Sequence, residues 1–142
     1  MTKKATYVTY RLNRAREALQ ETQLLMDNGH YNTAVNRLYY ACFYAVSGLL
    51  LVNKLAAARH AGVLRLFSER FVLTGIVSAE MGRFYKRLFQ FRQKSDYDDE
   101  FLPDPEKIAK WLPEAEAFVE RISQLALMSP ASNGKIPGAD TE

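Results

Sequence analysis

The sequence has very few of the residues that build metal centres and disulfides: one cysteine and two histidines among 142 residues. An intramolecular disulfide needs two cysteines, so the fold must depend on a hydrophobic core. Two histidines and one cysteine inside an apolar stretch do not supply a zinc site, and we expect no metal and no cofactor. The chain also lacks a glycine-rich phosphate loop, a nucleophile elbow and a dinucleotide fingerprint, which excludes the enzyme folds that carry them.

Long hydrophobic runs are missing as well. The aliphatic run at residues 48–52 is far shorter than the roughly 20 apolar residues that a membrane helix needs. The first sixteen residues, MTKKATYVTYRLNRAR, lack the apolar segment of a signal peptide. We therefore expect a cytoplasmic protein that has no membrane partner.

Charge is uneven along the chain, although the net charge is only +3. Basic residues dominate positions 59–94, and acidic residues follow directly. The basic residues are Arg59, Arg65, Arg70, Arg83, Lys86, Arg87, Arg92 and Lys94, and the acidic ones are Asp96, Asp98, Asp99, Glu100 and Asp104. This pattern predicts a basic surface suited to phosphates beside an acidic loop suited to a basic partner.

Residues 33–53 form the most apolar stretch and predict a central helix. Its apolar positions recur at steps of three and four: Val35, Leu38, Cys42, Ala45, Leu49 and Val52. Neighbouring apolar and aromatic residues widen this stripe almost to the full circumference, so the helix must be surrounded by other helices. Asn32 or Thr33 is expected to cap its start.

Four further helical segments flank the central one. A first helix over residues 6–27 ends at Asn28-Gly29, because glycine suits the left-handed turn after a helix. A short third helix starts at His60, and a fourth covers residues 77–94, followed by a polar loop over residues 95–102. A fifth begins at Asp104-Pro105, with a kink or a restart at Pro113.

No strand pattern and no internal repeat accompanies these helices. The sequence predicts an all-α, up-and-down antiparallel bundle of four to five helices, formed by one domain over residues 1–128. Residues 129–142 have the small, polar, proline- and glycine-containing composition of a disordered tail.

Asn36, Arg37, Tyr40 and Tyr44 form the first candidate site, because spacings of three, four and seven residues bring side chains together on a helix. A guanidinium among core positions needs a partner. The group is either a buried polar network that sets how the bundle packs or a site that grips a phosphate or a base.

Arg92, Asp96 and Tyr97 at the end of the fourth helix form the second candidate. Asp96 could hold the Arg92 guanidinium in a bidentate pair, which is a structural salt bridge. An Arg92 free of Asp96 would instead act as an anion clamp.

Two further features are open to either interpretation. His60 at a helix start is a cap, a surface residue or a proton carrier. The face of the fourth helix that carries Arg83 and Arg87 is either merely solvated or lies along a phosphate backbone.

Three short patterns together resemble the HEPN domain, specifically the small stand-alone prokaryotic HEPN proteins. They are Asn36-Arg37-x-Tyr39-Tyr40-Ala41, His60-x-Gly62-Val63 and Arg92-x-x-x-Asp96-Tyr97, and the similarity covers residues 6–126. The resemblance implies a helical bundle that forms a homodimer and is often paired with a minimal nucleotidyltransferase in toxin–antitoxin or defence modules.

Many HEPN proteins are metal-independent ribonucleases that use an Arg-x(4–6)-His motif. Arg92 corresponds to that arginine, but no arginine in this chain is followed by a histidine at that spacing. His60 could replace the missing base only if the fold brings it to Arg92. In some HEPN toxins the nucleotidyltransferase attaches AMP to a tyrosine just beyond the motif, and Tyr97 is the residue that resembles this acceptor.

Three functions follow from these observations. The leading one is a non-catalytic or weakly catalytic HEPN protein that binds nucleotide or RNA and acts with a nucleotidyltransferase. The binding residues are Asn36, Arg37, Tyr40, Arg83, Arg87, Arg92, Asp96 and Tyr97. The second is a metal-independent ribonuclease toxin that uses Arg92 with His60 or Tyr97, and the third is a structural helical adaptor.

Overall fold

The computed structural model describes residues 3–98 and 103–128, and every regular element in them is helical. The elements are α1 (Lys3–Asp27), α2 (Tyr31–Val52), α3 (His60–Phe67), a π-helical turn (Ser68–Val72), α4 (Ala79–Tyr97) and α5 (Pro105–Met128). The predicted all-α bundle is therefore confirmed. The predicted tail, residues 129–142, lies outside the described residues.

Helix α2 is the centre of the bundle, as its apolar circumference predicts. It packs against α1, α3, α4 and α5, and most of its length is buried. By length and composition α2 could also span a membrane, a property that counting uninterrupted apolar runs missed. Here the other helices cover most of that apolar surface, as expected for a core helix.

The turn between α1 and α2 closes by backbone hydrogen bonds. Gly29 has a φ of 78°, and the amides of Gly29 and His30 donate to the carbonyls of Met26 and Leu25. The predicted caps Asn32 and Thr33 were wrong. The chain leaves this turn directly into α2, whose N-cap is His30 and makes no side-chain capping bond.

Helix α4 is longer than its sequence pattern predicts. Ser78 caps its start by accepting a hydrogen bond from the Met81 amide, and the helix continues to Tyr97. The predicted loop at residues 95–102 was therefore wrong for its first three residues. The pairing of Arg92 with Asp96 one turn apart helps to extend the helix past its last apolar position.

Helix α5 begins as predicted and then runs without a restart. The Asp104 carboxylate accepts a hydrogen bond from the Glu106 amide, and Pro105 takes the first helical position. The predicted restart at Pro113 was wrong, because buried residues on both sides of the proline, Leu112 and Ala115, hold the same helix face against the core.

Candidate functional site

One strip of α2 is only partly covered by the other helices. Its half-buried side chains are Arg37, Tyr40, Phe43 and Tyr44. Helix α1 flanks this strip on one side, and His60 of α3 and Arg92 of α4 approach it on the other. The strip therefore lies where four helices meet.

Tyr40 lies between two guanidinium groups and an imidazole. The Cζ atoms of Arg37 and Arg92 lie 5.4 Å and 5.7 Å from the centroid of the Tyr40 ring. The His60 ring meets the Tyr40 ring edge-on, at a centroid distance of 5.6 Å and an interplanar angle of 90°. We call Arg37, Tyr39, Tyr40, His60 and Arg92 the Tyr40 cluster.

Arg37 is held by an ion pair across the helical hairpin. Its Nε donates to Oε1 of Glu21 on α1 at 3.1 Å. The Nη2 atom of Arg37 is buried and has no hydrogen-bond partner among residues 3–98 and 103–128. Arg37 is thus oriented by one carboxylate while part of its hydrogen-bonding capacity is unused. A surface cavity of about 420 Å³ adjoins it, lined by Arg14, Glu21, Leu24, Leu25 and Arg37.

Arg92 is less well paired than Arg37. Its Nε lies 3.5 Å from Oδ2 of Asp96, and this single long contact replaces the predicted bidentate pair. The buried Nε atom has no hydrogen-bond partner within the described chain. The guanidinium instead lies over the rings of Tyr39 and Tyr40, with 5.2 Å from Cζ to the Tyr39 centroid.

His60 is held in place by two aromatic residues of α2. Its Nδ1 lies 2.8 Å from the Tyr39 hydroxyl, and its ring stacks on Phe43 at a centroid distance of 4.3 Å. Burial lowers the pKa of His60, and the positive charge of Arg92 lowers it further. Burial also raises the pKa of Tyr39 to about 12, so its hydroxyl keeps its proton.

The fold brings His60 and Arg92 to the same two tyrosine rings. His60 and Arg92 both contact Tyr39 and Tyr40, although they lie on different helices. In the tautomer that donates Nδ1–H to the Tyr39 hydroxyl, Nε2 is unprotonated and can accept a proton.

Some of the remaining predicted site residues lie beside the Tyr40 cluster, and the others lie on the far side of α4. Asn36 is half-buried one turn before Tyr40 on α2, and Asp96 contacts Arg92. Arg83 and Arg87 are exposed, and the helical period puts Arg83 about 180° around α4 from Arg92. Tyr97 is 88% exposed and about 140° from Arg92, so it does not join the cluster.

Sequence reasoning missed two α1 residues that border the cluster, Arg14 and Glu21. In an antiparallel hairpin, residues equally distant from the turn face each other, because both helices rise by the same step per residue. Glu21 and Arg37 are each eight residues from Gly29, and Arg14 and Tyr44 are each fifteen residues from it. Counting outward from the predicted turn would have found both pairs.

The described residues give no sign of a metal centre. In residues 3–98 and 103–128, no three His, Cys, Asp or Glu side chains lie together as potential ligands. The residues of the Tyr40 cluster supply two guanidinium groups, two tyrosine rings and one imidazole.

Fold and site together define a small helical-bundle protein with a cationic, aromatic surface cluster. The HEPN domain family matches residues 8–125, and the chain belongs to that family. It is 42% identical over 125 residues to a UPF0332 protein of Thermotoga maritima, an alignment that covers 88% of this chain and 95% of the relative.

Two archaeal relatives have names that refer to toxicity. The chain is 36% identical over 110 residues to "Putative toxin MJ0605" of Methanocaldococcus jannaschii, covering 78% of this chain and 81% of the relative. A second protein of that organism with the same kind of name is 32% identical over 87 residues, covering 61% and 59% of the two chains.

Proposed function

We propose that this HEPN protein is the toxin-type component of a two-component module and that its Tyr40 cluster binds a nucleotide or RNA. The observation that carries the proposal is the convergence of two incompletely paired arginines, Arg37 and Arg92, on one half-buried tyrosine ring. The names of the archaeal relatives support the toxin-type assignment.

The cluster suits a phosphate next to a base. A guanidinium donates two hydrogen bonds to a phosphate in a fixed geometry, and a tyrosine ring stacks on an unpaired base. Both groups meet at Tyr40, where the Arg37 and Arg92 side chains lie over the ring and are each about one-fifth exposed, so an incoming phosphate could reach their outer guanidinium nitrogens.

The partners we propose are a second copy of the chain and a minimal nucleotidyltransferase, in the cytoplasm. Tyr97 suits the role of a modified residue, because a side chain that is 88% exposed is accessible to another enzyme. Its separation from Arg92 around α4 places this role apart from RNA binding at the cluster.

A second candidate function, a metal-independent ribonuclease, is favoured by the approach of His60 to Arg92. His60 Nε2 would take the proton from an RNA 2′-hydroxyl, and the 2′ oxygen would then attack the adjacent phosphorus. The bond to the 5′ oxygen breaks, and the imidazolium returns its proton to that oxygen. The products are a 2′,3′-cyclic phosphate and a 5′-hydroxyl, and Arg92 would stabilise the added negative charge during the reaction.

A ribonuclease that uses Tyr97 and a structural adaptor both have less support. Tyr97 is too far around α4 to act with Arg92 on one phosphate. An adaptor would be favoured if the chain itself covered the basic face of α4, but Arg83 and Arg87 are exposed.

One experiment with two readouts tests both RNA binding and RNA cleavage. Labelled single-stranded RNA is mixed with wild-type protein, Arg92→Ala and His60→Ala in EDTA, and both anisotropy and chain cleavage are followed. We expect Arg92→Ala to weaken binding by about 10- to 100-fold, because a charge-assisted hydrogen bond to phosphate is lost. Cleavage that is lost in both variants identifies the ribonuclease, and binding without cleavage identifies the binding protein.

Arg65→Ala is the matched control for charge. Arg65 is exposed on α3, and its only described ion pair is a 4.0 Å contact with Glu69, so the variant loses one positive charge away from the cluster. Equal affinity of Arg92→Ala and wild-type protein for the RNA would refute the proposed site. Absence of RNA binding by the wild-type protein would refute the proposed ligand.

A further inference from the structure

The first half of α1 presents two tyrosines and two arginines on one face. Tyr7 and Tyr10 are 54% and 63% exposed, unusually high values for large aromatic side chains. Spacings of three, four and seven residues put Tyr7, Tyr10, Arg11 and Arg14 on the same side of the helix. We call these four residues, together with Tyr44 of α2, the α1 platform.

The platform borders a cavity and has a uniform charge. The cavity, of about 460 Å³, is lined by Thr6, Tyr7, Tyr10, Arg11 and Tyr44. The charged residues of the platform, Arg11 and Arg14, are both basic. Arg14 pairs with Glu17 one turn further along α1 at 3.5 Å, so the platform keeps a net positive charge through Arg11. A ligand that fits this surface is therefore negatively charged and has flat faces to place against the tyrosine rings.

The platform is continuous with the Tyr40 cluster. The Cζ atom of Arg14 lies over the Tyr44 ring at 5.3 Å from the centroid. The Tyr44 ring contacts the Tyr40 ring at a centroid distance of 5.8 Å, and Tyr40 contacts His60 and Arg92. A continuous series of ring and cation contacts thus runs from Arg14 of α1 through Tyr44 and Tyr40 to Arg92.

We propose that the α1 platform binds the bases and phosphates of single-stranded RNA that extends from the Tyr40 cluster. This inference rests on the proposed function, because it extends the same ligand beyond the cluster. Stacking on exposed rings beside a basic surface is how proteins hold single strands without reading their sequence. A double helix does not fit this description, because its bases stack on each other and are not free to stack on Tyr7 and Tyr10.

Charge favours RNA over a second copy of the chain as the occupant. A two-fold symmetric contact through the platform would bury Arg11 and Arg14 of both copies, and the ion pair with Glu17 balances only Arg14 in each copy. RNA supplies one negative charge per nucleotide and needs no such compensation.

The test compares RNA lengths in the full-length protein. Fluorescence anisotropy is measured with a labelled dinucleotide, a single strand of about ten nucleotides and a duplex of the same sequence. The proteins are wild type, Tyr7→Ala/Tyr10→Ala, Tyr7→Phe/Tyr10→Phe and Arg14→Gln. Arg16→Gln is the matched control for Arg14→Gln, because Arg16 is exposed on α1 about 200° away from Arg14.

The wild-type protein and the platform variants should differ in their affinity for the long single strand and have the same affinity for the dinucleotide. We expect the alanine double variant to lose about tenfold or more in affinity for the long strand, while the phenylalanine variant keeps it because the rings remain. Arg14→Gln should weaken binding of the long strand more than Arg16→Gln does. Affinity for the dinucleotide should be the same in all platform variants.

Three results would overturn the inference. The first is that the alanine variant binds the long strand as tightly as the wild-type protein does. The second is that the alanine variant loses as much affinity for the dinucleotide as for the long strand. The third is loss of a wild-type dimer in the alanine variant by sedimentation, which would identify the platform as a subunit interface. The proposed function fails separately, if Arg92→Ala binds the dinucleotide and the long strand as wild type does.

Discussion

His60 is the residue whose properties depend most on its neighbours. Its ring is held between the Tyr39 hydroxyl and the Phe43 ring, and Arg92 contributes a positive charge nearby. Burial and that charge both disfavour the imidazolium, so neutral His60 is the main form at neutral pH. A neutral imidazole fixed at one nitrogen is suited to exchange a proton through the other.

We predict that the pKa of His60 lies below its ordinary value of about 6.5 and rises in Arg92→Met. Methionine keeps an apolar stem in place of Arg92 and removes the charge, so the rise measures the electrostatic contribution. NMR titration of the imidazole carbon-bound protons is the measurement, and the chain has only one other histidine, the exposed His30.

Arg92→Lys is the control, because it keeps the positive charge. An unchanged His60 pKa in Arg92→Met would contradict the placement of the two residues around Tyr39 and Tyr40.

The lowered pKa of His60 also makes the stability of the protein depend on pH. Unfolding restores the ordinary value, so the contribution of His60 to stability falls as the pH drops from about 6.5 through the folded pKa.

At the level of elements, the end of α2 is an unusual helix stop. The amides of Lys54 and Leu55 donate to the carbonyls of Leu51 and Leu50, the same arrangement that closes α1 at Gly29. Here the left-handed position is occupied by Lys54, with a φ of 60°. A residue with a Cβ atom is strained in this conformation, so α2 ends at an energetic cost.

We predict that Lys54→Gly stabilises the protein by about 0.5–1 kcal/mol, because relief of the left-handed strain exceeds the greater entropy of glycine in the unfolded chain. Urea denaturation followed by circular dichroism measures the change. Lys54→Ala removes the same side chain and keeps the Cβ atom, so it should show no such gain. A gain of equal size in both variants would attribute the effect to the lost charge.

Helix ends were predictable from sequence where a single residue type specifies them. Gly29 closes α1, and Asp104 with Pro105 opens α5, because the required groups lie within one turn of the helix end. The start of α2 and the end of α4 were misplaced. The start of α2 depends on backbone hydrogen bonds of the preceding turn, and the ion pair of Arg92 with Asp96 helps to extend α4. Neither interaction changes the spacing of apolar residues, so the sequence pattern did not reveal them.

At the level of the whole molecule, Cys42 lies at the centre of the bundle. Its side chain has no solvent exposure, and burial raises the pKa of its thiol. Because the thiolate is the form that attacks a disulfide reagent, the reaction of Cys42 requires the helices around α2 to separate.

We predict that Cys42 resists Ellman's reagent in native buffer and reacts at a rate limited by unfolding. The reaction should accelerate with urea in step with the loss of helical circular dichroism, because one thiol at the centre of a single core reports its opening. Protein denatured before mixing is the control and should release one equivalent at once. A native rate equal to the denatured rate would contradict the central position of α2.

The sequence alone determined the helices, the central position of α2 and the resemblance to HEPN domains. These depend on apolar periodicity and on groups one or two turns apart, both of which are local in the chain. The family and the all-α bundle were therefore confirmed, and Arg37 contacts the Tyr40 ring on α2, as their spacing of three residues indicates.

Only the tertiary structure decided which candidates meet. His60 joins Arg92 because both pack on the rings of Tyr39 and Tyr40, and no spacing along the chain encodes a contact between two helices that meet on a third. Tyr97 lies away from Arg92 because α4 continues as a helix through Tyr97. The site is a product of packing, whereas the elements that build it are products of local sequence.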